Sequence, residues 1–281
     1  MGITAVAGFR AGHVFDGADF ENDALMTEAY FKYANDSFAL MAGRQAIDLE
    51  WLGDYNEAVV GVVSAIPDTT LVLGYADRQA AADEDEIGTF SEITEDGLYV
   101  IDAKYSGIEG IELNPYFYTA PDVADFYGLK ANYSTDMYGL LGHYAASSED
   151  TGSDGSLLAL EASTTISGIS AALGYIKTDE DGGIGSMAAY GDNYEPMDDG
   201  SAIYVADAEM IYGSLGYTLS GIDLGAAYSV TEVGSDDEKE LNLTAGYSIT
   251  DSLGLSLLYV DIDSDVNVDQ DYGSLTLSYS F

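Results

Sequence analysis

Residues 272–281 have the sequence YGSLTLSYSF, in which large apolar and small polar side chains alternate. Leu275, Leu277 and Tyr279 fall on one side of an extended chain, and the serine and threonine residues between them fall on the other. This period of two predicts a β-strand with one apolar and one polar face. The same alternation recurs elsewhere in the chain, in residues 3–11, 222–230, 241–249 and 253–259.

The connections between the alternating runs are of two kinds. Short turn-forming connections, such as Ser167-Gly168 and Ser220-Gly221, alternate with longer acidic ones, such as 79–96 and 178–201. This order predicts an all-β, antiparallel up-and-down transmembrane β-barrel that forms one domain over residues 1–281. We count sixteen strands, which begin near residues 3, 25, 37, 55, 69, 98, 110, 124, 137, 156, 169, 202, 222, 240, 253 and 271.

The composition excludes several classes of function. The chain has 50 Asp and Glu residues but only 8 Lys and Arg residues, which gives a formal net charge of −42. It therefore lacks the basic face that binding to nucleic acid or to anionic lipid head groups requires. The chain has no cysteine, which excludes disulfides and thiolate sites. The 23 tyrosines and 47% hydrophobic residues are atypical of an acidic disordered chain.

The tyrosines share the apolar side of the predicted strands. Tyr217, Tyr247 and Tyr279 are expected near the short turns, and a second group is expected near the long loops: Tyr75, Tyr175, Tyr228 and Tyr259. Two aromatic belts are typical of a barrel whose apolar side faces lipid, although tyrosine also favours strands in general. The opposite side is mostly Gly, Ser, Thr, Ala and Asn, which suits a water-filled lumen.

Ten charged residues are predicted to line this lumen because they fall on the polar side of their strands. They are Arg10, Glu28, Lys32, Glu57, Arg78, Asp102, Lys104, Glu112, Lys130 and Glu161. One interpretation is a basic wall opposite acidic groups, which would create a transverse field across a constriction. The other is a set of structural ion pairs, such as Lys32 with Glu28 and Lys104 with Asp102. Arg44 falls on the apolar side and is expected at the rim or beside a bulge.

Catalysis and metal binding have little support in the sequence. His13 and His143 are the only histidines, and no nucleophile-elbow motif accompanies them. We therefore expect no enzymatic activity, no catalytic residues and no cofactor. The acidic loops leave a loop-bound Ca²⁺ open, but no defined metal site is expected.

Five stretches carry a resemblance to a known family: residues 27–33 (TEAYFKY), 42–45 (AGRQ), 66–71 (IPDTTL), 99–105 (YVIDAKY) and 114–118 (NPYFY). They resemble the Opr-family (OprD-like) outer-membrane porins, which include the major porins of epsilon-class proteobacteria. The resemblance implies a place in the outer membrane and, for Phe281, recognition by the barrel-assembly machinery. The family has eighteen strands and a signal peptide. In this resemblance the first strand of the sequence corresponds to the third strand of the family, so we expect a truncated N-terminus.

These observations predict an outer-membrane porin, a passive channel for small hydrophilic solutes and ions with a preference for cations. Two alternatives remain open: a channel selective for small carboxylates or amino acids, and a structural or adhesive surface barrel. The expected partners are outer-membrane lipid, passing solutes and, as is common among porins, two further copies in a homotrimer. One of the loops 79–96 and 178–201 is expected to fold inward.

Overall fold

The computed structural model describes residues 2–13, 21–83, 86–191, 194–198 and 201–280. Within these residues the chain forms strands β1 to β17, in order Gly2–Ala11, Ala24–Ala34, Phe38–Ala46, Tyr55–Val63, Thr69–Ala80, Ser91–Glu92, Leu98–Ile108, Ile111–Ala120, Ala124–Ser134, Tyr138–Glu149, Gly155–Ile166, Ile169–Thr178, Ala208–Leu219, Ile222–Val233, Asp236–Thr250, Leu253–Ser264 and Gln270–Tyr279. No helix of the described residues is long and apolar enough to cross a membrane. Phe281 lies outside them, so its predicted role is not addressed.

The strands confirm the alternation expected from the sequence. All sixteen predicted strands are present, and most begin within one residue of the expected position. The additional strand is β6, two residues long, which pairs with the end of β5. A period-2 pattern cannot identify so short a strand. Strand β13 begins at Ala208 rather than near 202, because Ser201–Tyr204 forms a 3₁₀ helix instead.

The chain divides into two compact units. The first consists of Met1–Leu129, Ala146–Ser153 and Gly185–Tyr194. In this unit β1 to β5 pair consecutively and antiparallel, β5 continues onto β7, and β7 pairs with β8. Its largest buried side chains include Trp51, Leu98, Tyr118 and Phe126.

The second unit consists of Lys130–Ala145, Asp154–Ile184 and Glu195–Phe281. Here β11 to β17 form an uninterrupted antiparallel meander in which each strand pairs with the next. Its buried apolar side chains include Leu157, Ile176, Met210 and Val260.

Two-residue turns set the register of the tightest hairpins. At Ser167-Gly168 and Ser220-Gly221 both turn residues have positive φ, between 54° and 84°. This is the conformation of the type I′ turn, whose twist matches that of the flanking strands. The turns bring Ile166 opposite Ile169 and Leu219 opposite Ile222. The predicted short connections at these positions are therefore confirmed.

Candidate functional site

The solvent exposure of the two strand faces is the reverse of that in a soluble protein. On the apolar face Leu215 is 60% exposed and Leu275 is 66% exposed. On the polar face Ser229 is only 2% exposed and Glu240 only 1%. A soluble sheet buries its leucines and hydrates its carboxylates, so the apolar face is suited to lipid. The polar face is where the candidate site lies.

A buried carboxylate stands on the polar face of the first unit. Asp102 of β7 is 1% exposed, and its oxygens accept hydrogen bonds from the Asn114 amide at 2.8 Å and the Tyr118 hydroxyl at 2.7 Å. Both donors alternate along β8 with the exposed Phe117. Among the described residues Asp102 is therefore held by uncharged donors, which leave its negative charge without a basic partner.

The segment after β12 packs on the polar face of the first unit. The backbone N–H and hydroxyl of Ser186 donate to Glu149 at 2.9 and 2.7 Å. The Tyr190 ring lies 5.7 Å from the Phe126 ring, and the Tyr190 carbonyl accepts a hydrogen bond from the Gln79 amide at 2.8 Å. Burial raises the pKa of Tyr190, so its phenol stays protonated near neutral pH. One of the loops 79–96 and 178–201 was expected to fold inward, and the later one lies against polar-face side chains.

A second loop packs on the same face. Trp51, in the connection between β3 and β4, donates from its indole N–H to the Tyr116 hydroxyl at 2.9 Å. The Asn56 amide donates to the Gly53 carbonyl at 2.6 Å, and the N–H of Gly53 in turn donates to Tyr190 at 2.9 Å. Large side chains from two loops therefore occupy space over the polar face, which is the arrangement expected of a constriction.

The second unit holds further carboxylates on its polar face. Glu161 accepts a hydrogen bond from the Tyr212 hydroxyl at 2.7 Å. Glu238 accepts one from the Ser264 hydroxyl at 2.7 Å and one from the Asn267 amide at 2.8 Å. Uncharged donors thus also hold these carboxylates, as they hold Asp102.

On the apolar face of the first unit, side chains of alternating charge form a row across strands β3 to β6. The strand register places Arg44, Glu57, Arg78 and Glu92 side by side. Arg44 lies 2.8 Å from Glu57, Arg78 lies 3.9 Å from the same carboxylate, and the Arg44 guanidinium lies 4.3 Å from the centre of the Phe90 ring. Arg44 is two residues from the end of β3, near the rim where it was expected.

Glu57 and Arg78 therefore lie on the face opposite to the one that uninterrupted alternation predicts. Glu57 shares its side of β4 with the exposed Val59, while Asn56 on the other side is fully buried. The misassignment arose because both sides of β4 contain valine and alanine. For Arg78 the cause is a register shift: Ala58 pairs with Ala76 but Glu57 pairs with Arg78, so Asp77 is an extra residue that reverses the alternation.

The structure separates the other predicted lining residues. Arg10 is exposed and donates to the Ala82 carbonyl, and Glu28 lies against Gly8. Lys32 and Lys104 form no ion pair with any described residue, so the expected pairs Lys32–Glu28 and Lys104–Asp102 are absent from the described chain. Of the remaining members, Glu112 is exposed and Lys130 is half-buried.

The aromatic and amide members of this face were not predicted from the sequence. The predicted lining residues are all charged, so they do not include Trp51, Tyr116, Tyr118, Asn56 or Gln79. The alternation Asn114, Tyr116, Tyr118 on one side of β8 was the available signal. No group of three or more acidic or histidine side chains with metal-binding geometry occurs in the described residues, and a loop-bound Ca²⁺ remains an untested expectation.

Comparison with known proteins assigns this arrangement to a fold. Residues 5–138 match a family model described as "Putative outer membrane protein". The structure is similar to OccAB4 of Acinetobacter baumannii with a TM-score of 0.79 and 16% identity, over 99% of this chain and 84% of that one. The chain therefore has the fold of these structures, which the OprD-like outer-membrane porins share. The predicted β-barrel class and outer-membrane location are thereby confirmed.

Two further structures extend this porin likeness. OccK8 (OprE) of Pseudomonas aeruginosa has a TM-score of 0.76 at 15% identity, over 99% of this chain and 86% of that one. OccK3 (OpdO) of the same organism has a TM-score of 0.76 at 18% identity, over 89% of this chain and 78% of that one. No curated protein matches the sequence of this chain.

Proposed function

We propose that the porin is a passive, water-filled channel that prefers cations. The observation that carries the proposal is a cavity of about 680 Å³ in the first unit, at the long-loop end of the strands. Four of its lining residues are acidic and none is lysine or arginine. The acidic residues are Glu21, Asp54, Glu86 and, at the margin beside Arg78, Glu92. Such a cavity raises the local concentration of cations and lowers that of anions.

The position of the basic residues supports the same preference. Arg44 and Arg78 share Glu57 on the apolar face, and Lys177 lies 3.7 Å from Glu209 on β12 and β13. Lys239 lies 3.1 Å from Asp237. These four cations are paired outside the polar face. The other four basic residues fall on the polar side of their strands, where carboxylates outnumber them: Arg10, Lys32, Lys104 and Lys130 against Glu28, Asp102, Glu112, Glu161, Glu238 and Glu240. The polar face of the described residues therefore carries an excess of negative charge.

The selectivity of reconstituted channels tests the proposal. In a planar bilayer with unequal KCl concentrations, the wild-type porin should develop a zero-current potential that is positive on the dilute side. The variant Glu21→Gln/Asp54→Asn/Glu86→Gln/Glu92→Gln should have a much smaller potential. A matched control, Asp125→Asn/Glu232→Gln/Asp261→Asn/Asp263→Asn, removes the same number of exposed charges outside the cavity and should keep the wild-type value. Equal potentials in both variants would contradict the role of the cavity.

A further inference from the structure

The side chain of Gln79 joins two loops that pack on the polar face of the first unit. One is the loop 47–54 between β3 and β4, and the other is the segment 185–191 after β12. The Gln79 amide donates to the Gly53 carbonyl at 3.0 Å and to the Tyr190 carbonyl at 2.8 Å. A primary amide has two N–H groups, so this one side chain can hold a carbonyl of each loop.

Gln79 faces these loops because of the bulge in β5. Ala76 is buried on the polar face, so uninterrupted alternation would place Arg78 on that face and turn Gln79 toward the apolar one. The extra residue Asp77 reverses this order, and Gln79 then reaches the two loops. Bulges often occur beside functional sites, where they redirect a side chain.

The two loops also contact each other directly beside Gln79. The N–H of Gly53 donates to the Tyr190 carbonyl at 2.9 Å. A Cβ on Gly191 would lie 2.7 Å from the Leu52 nitrogen and 2.9 Å from the Gly53 nitrogen, so a glycine is needed for this close approach of the backbones. Gln79 and Tyr190 line the acidic cavity, so the contact between the loops forms part of its wall.

We propose that Gln79 is a positioning residue of the constriction, which holds the two loops together and thereby sets the width of the passage beside the acidic cavity. The inference rests on the proposed channel and concerns its width rather than its ion preference. Surface loops are mobile unless their backbone groups are bonded to the rest of the protein. Without the Gln79 amide, the segment 185–191 should leave the polar face more often, and the passage should then be wider.

Single-channel recordings in symmetric KCl test the inference. The wild type should have one main conductance with rare steps to a larger one. Gln79→Met keeps the length of the side chain but has no donor, so the larger level should be occupied about fivefold more often, as expected for the loss of a hydrogen bond between neutral groups. The variant should also admit neutral polyethylene glycols of a size that the wild type excludes.

Gln45→Met is the matched control. Gln45 is buried on the polar face of β3, and its amide donates to two strand carbonyls, those of Gly43 and Ala58. Its loss should destabilise the protein but leave the conductance and the polymer size limit as in the wild type. The comparison therefore separates the positioning of the loops from a general loss of stability.

A second pair of variants keeps the test decisive if Gln79→Met does not fold, as judged by heat-modifiable migration. Gly191→Ala would push the loops apart by overlap with the backbone of Leu52 and Gly53, and it should also favour the larger conductance. Gly53→Ala is its control, because the added Cβ would meet only the Gly191 Cα, at 3.8 Å. It should conduct as the wild type does.

Chymotrypsin cleavage after Tyr190 in the folded protein reports on the loops without requiring current. Gln79→Met should be cleaved about fivefold faster than the wild type, and Gln45→Met at the wild-type rate. Equal conductance and cleavage in the wild type and Gln79→Met, or equal changes in Gln79→Met and Gln45→Met, would overturn the inference. A wild type that carries no current, with faster cleavage of Gln79→Met alone, would overturn the proposed channel and support the contact between the loops.

Discussion

The Tyr118 hydroxyl donates a 2.7 Å hydrogen bond to Asp102, across the pair of strands β7 and β8. Asp102 is almost fully buried, and its other oxygen is bonded to Asn114. A buried carboxylate without a cation is costly unless its hydrogen bonds are good. The geometry therefore makes Tyr118 a main support for a negative charge on the polar face of the first unit.

Replacing Tyr118 with phenylalanine should destabilise the porin by about 1–3 kcal/mol, because it leaves one carboxylate oxygen of Asp102 without its donor. The measurement is the urea concentration at which the folded band disappears on an unheated SDS gel. Tyr247→Phe removes an exposed hydroxyl from the apolar face and serves as the control. Equal midpoints for the two variants would show that the Tyr118 hydrogen bond carries no stability.

Gly174→Ala should destabilise the second unit by about 1–3 kcal/mol, because a Cβ at this position would overlap the Tyr212 ring. The displaced ring would also lose its hydrogen bond to Glu161. Urea titration again provides the readout, and Gly254→Ala, with no atom near its added Cβ, is the control. Combining Gly174→Ala with Tyr212→Ala should cost less than the sum of the single changes, since the overlap is then removed. Strict additivity would argue against the steric account.

Neutralising Lys32 and Lys104 together should increase cation preference, because neither is neutralised by a described acidic partner. Neutralising Arg44 and Arg78 with glutamine should leave selectivity unchanged, since both share Glu57 on the apolar face. The two double variants remove the same charge, so each is the control of the other. Zero-current potentials in a KCl gradient distinguish them. A larger change for the arginine pair would reverse our assignment of the two faces.

Glu149→Gln should loosen the loop segment that includes Ser186 and Tyr190, because it weakens two hydrogen bonds from Ser186. Cleavage after Tyr190 by chymotrypsin should become about threefold to tenfold faster in the folded protein. Glu180→Gln, an exposed change in the same loop, should leave the rate unaltered. An unchanged rate for Glu149→Gln would mean that other contacts hold the segment.

The sequence predicted most of the fold because alternation is a local property. Leu275, Leu277 and Tyr279 fall on one side whatever the rest of the chain does, and turns such as Ser220-Gly221 permit only a tight reversal. Alternation no longer predicts which side of a strand a residue faces once an extra residue interrupts the strand. The extra residue Asp77 reverses the alternation before Arg78, and nothing in the sequence marks it as a bulge.

The candidate site was less predictable because it depends on where the loops pack. The contact between Trp51 and Tyr116 joins residues that are distant in sequence, and so does that between Gln79 and Tyr190. No periodicity encodes such contacts. Charged residues on the polar side could be enumerated, but their pairing could not. Glu57 pairs with Arg44 and Arg78, and Asp102 pairs with Asn114 and Tyr118 rather than with Lys104.

The zero-current potential of the wild-type porin in a bilayer with a KCl gradient tests the central claim most directly. An acidic cavity and uncompensated carboxylates on the polar face predict a stable ionic conductance and a potential that is positive on the dilute side. A potential of the opposite sign, or a folded protein that carries no current, would contradict the account.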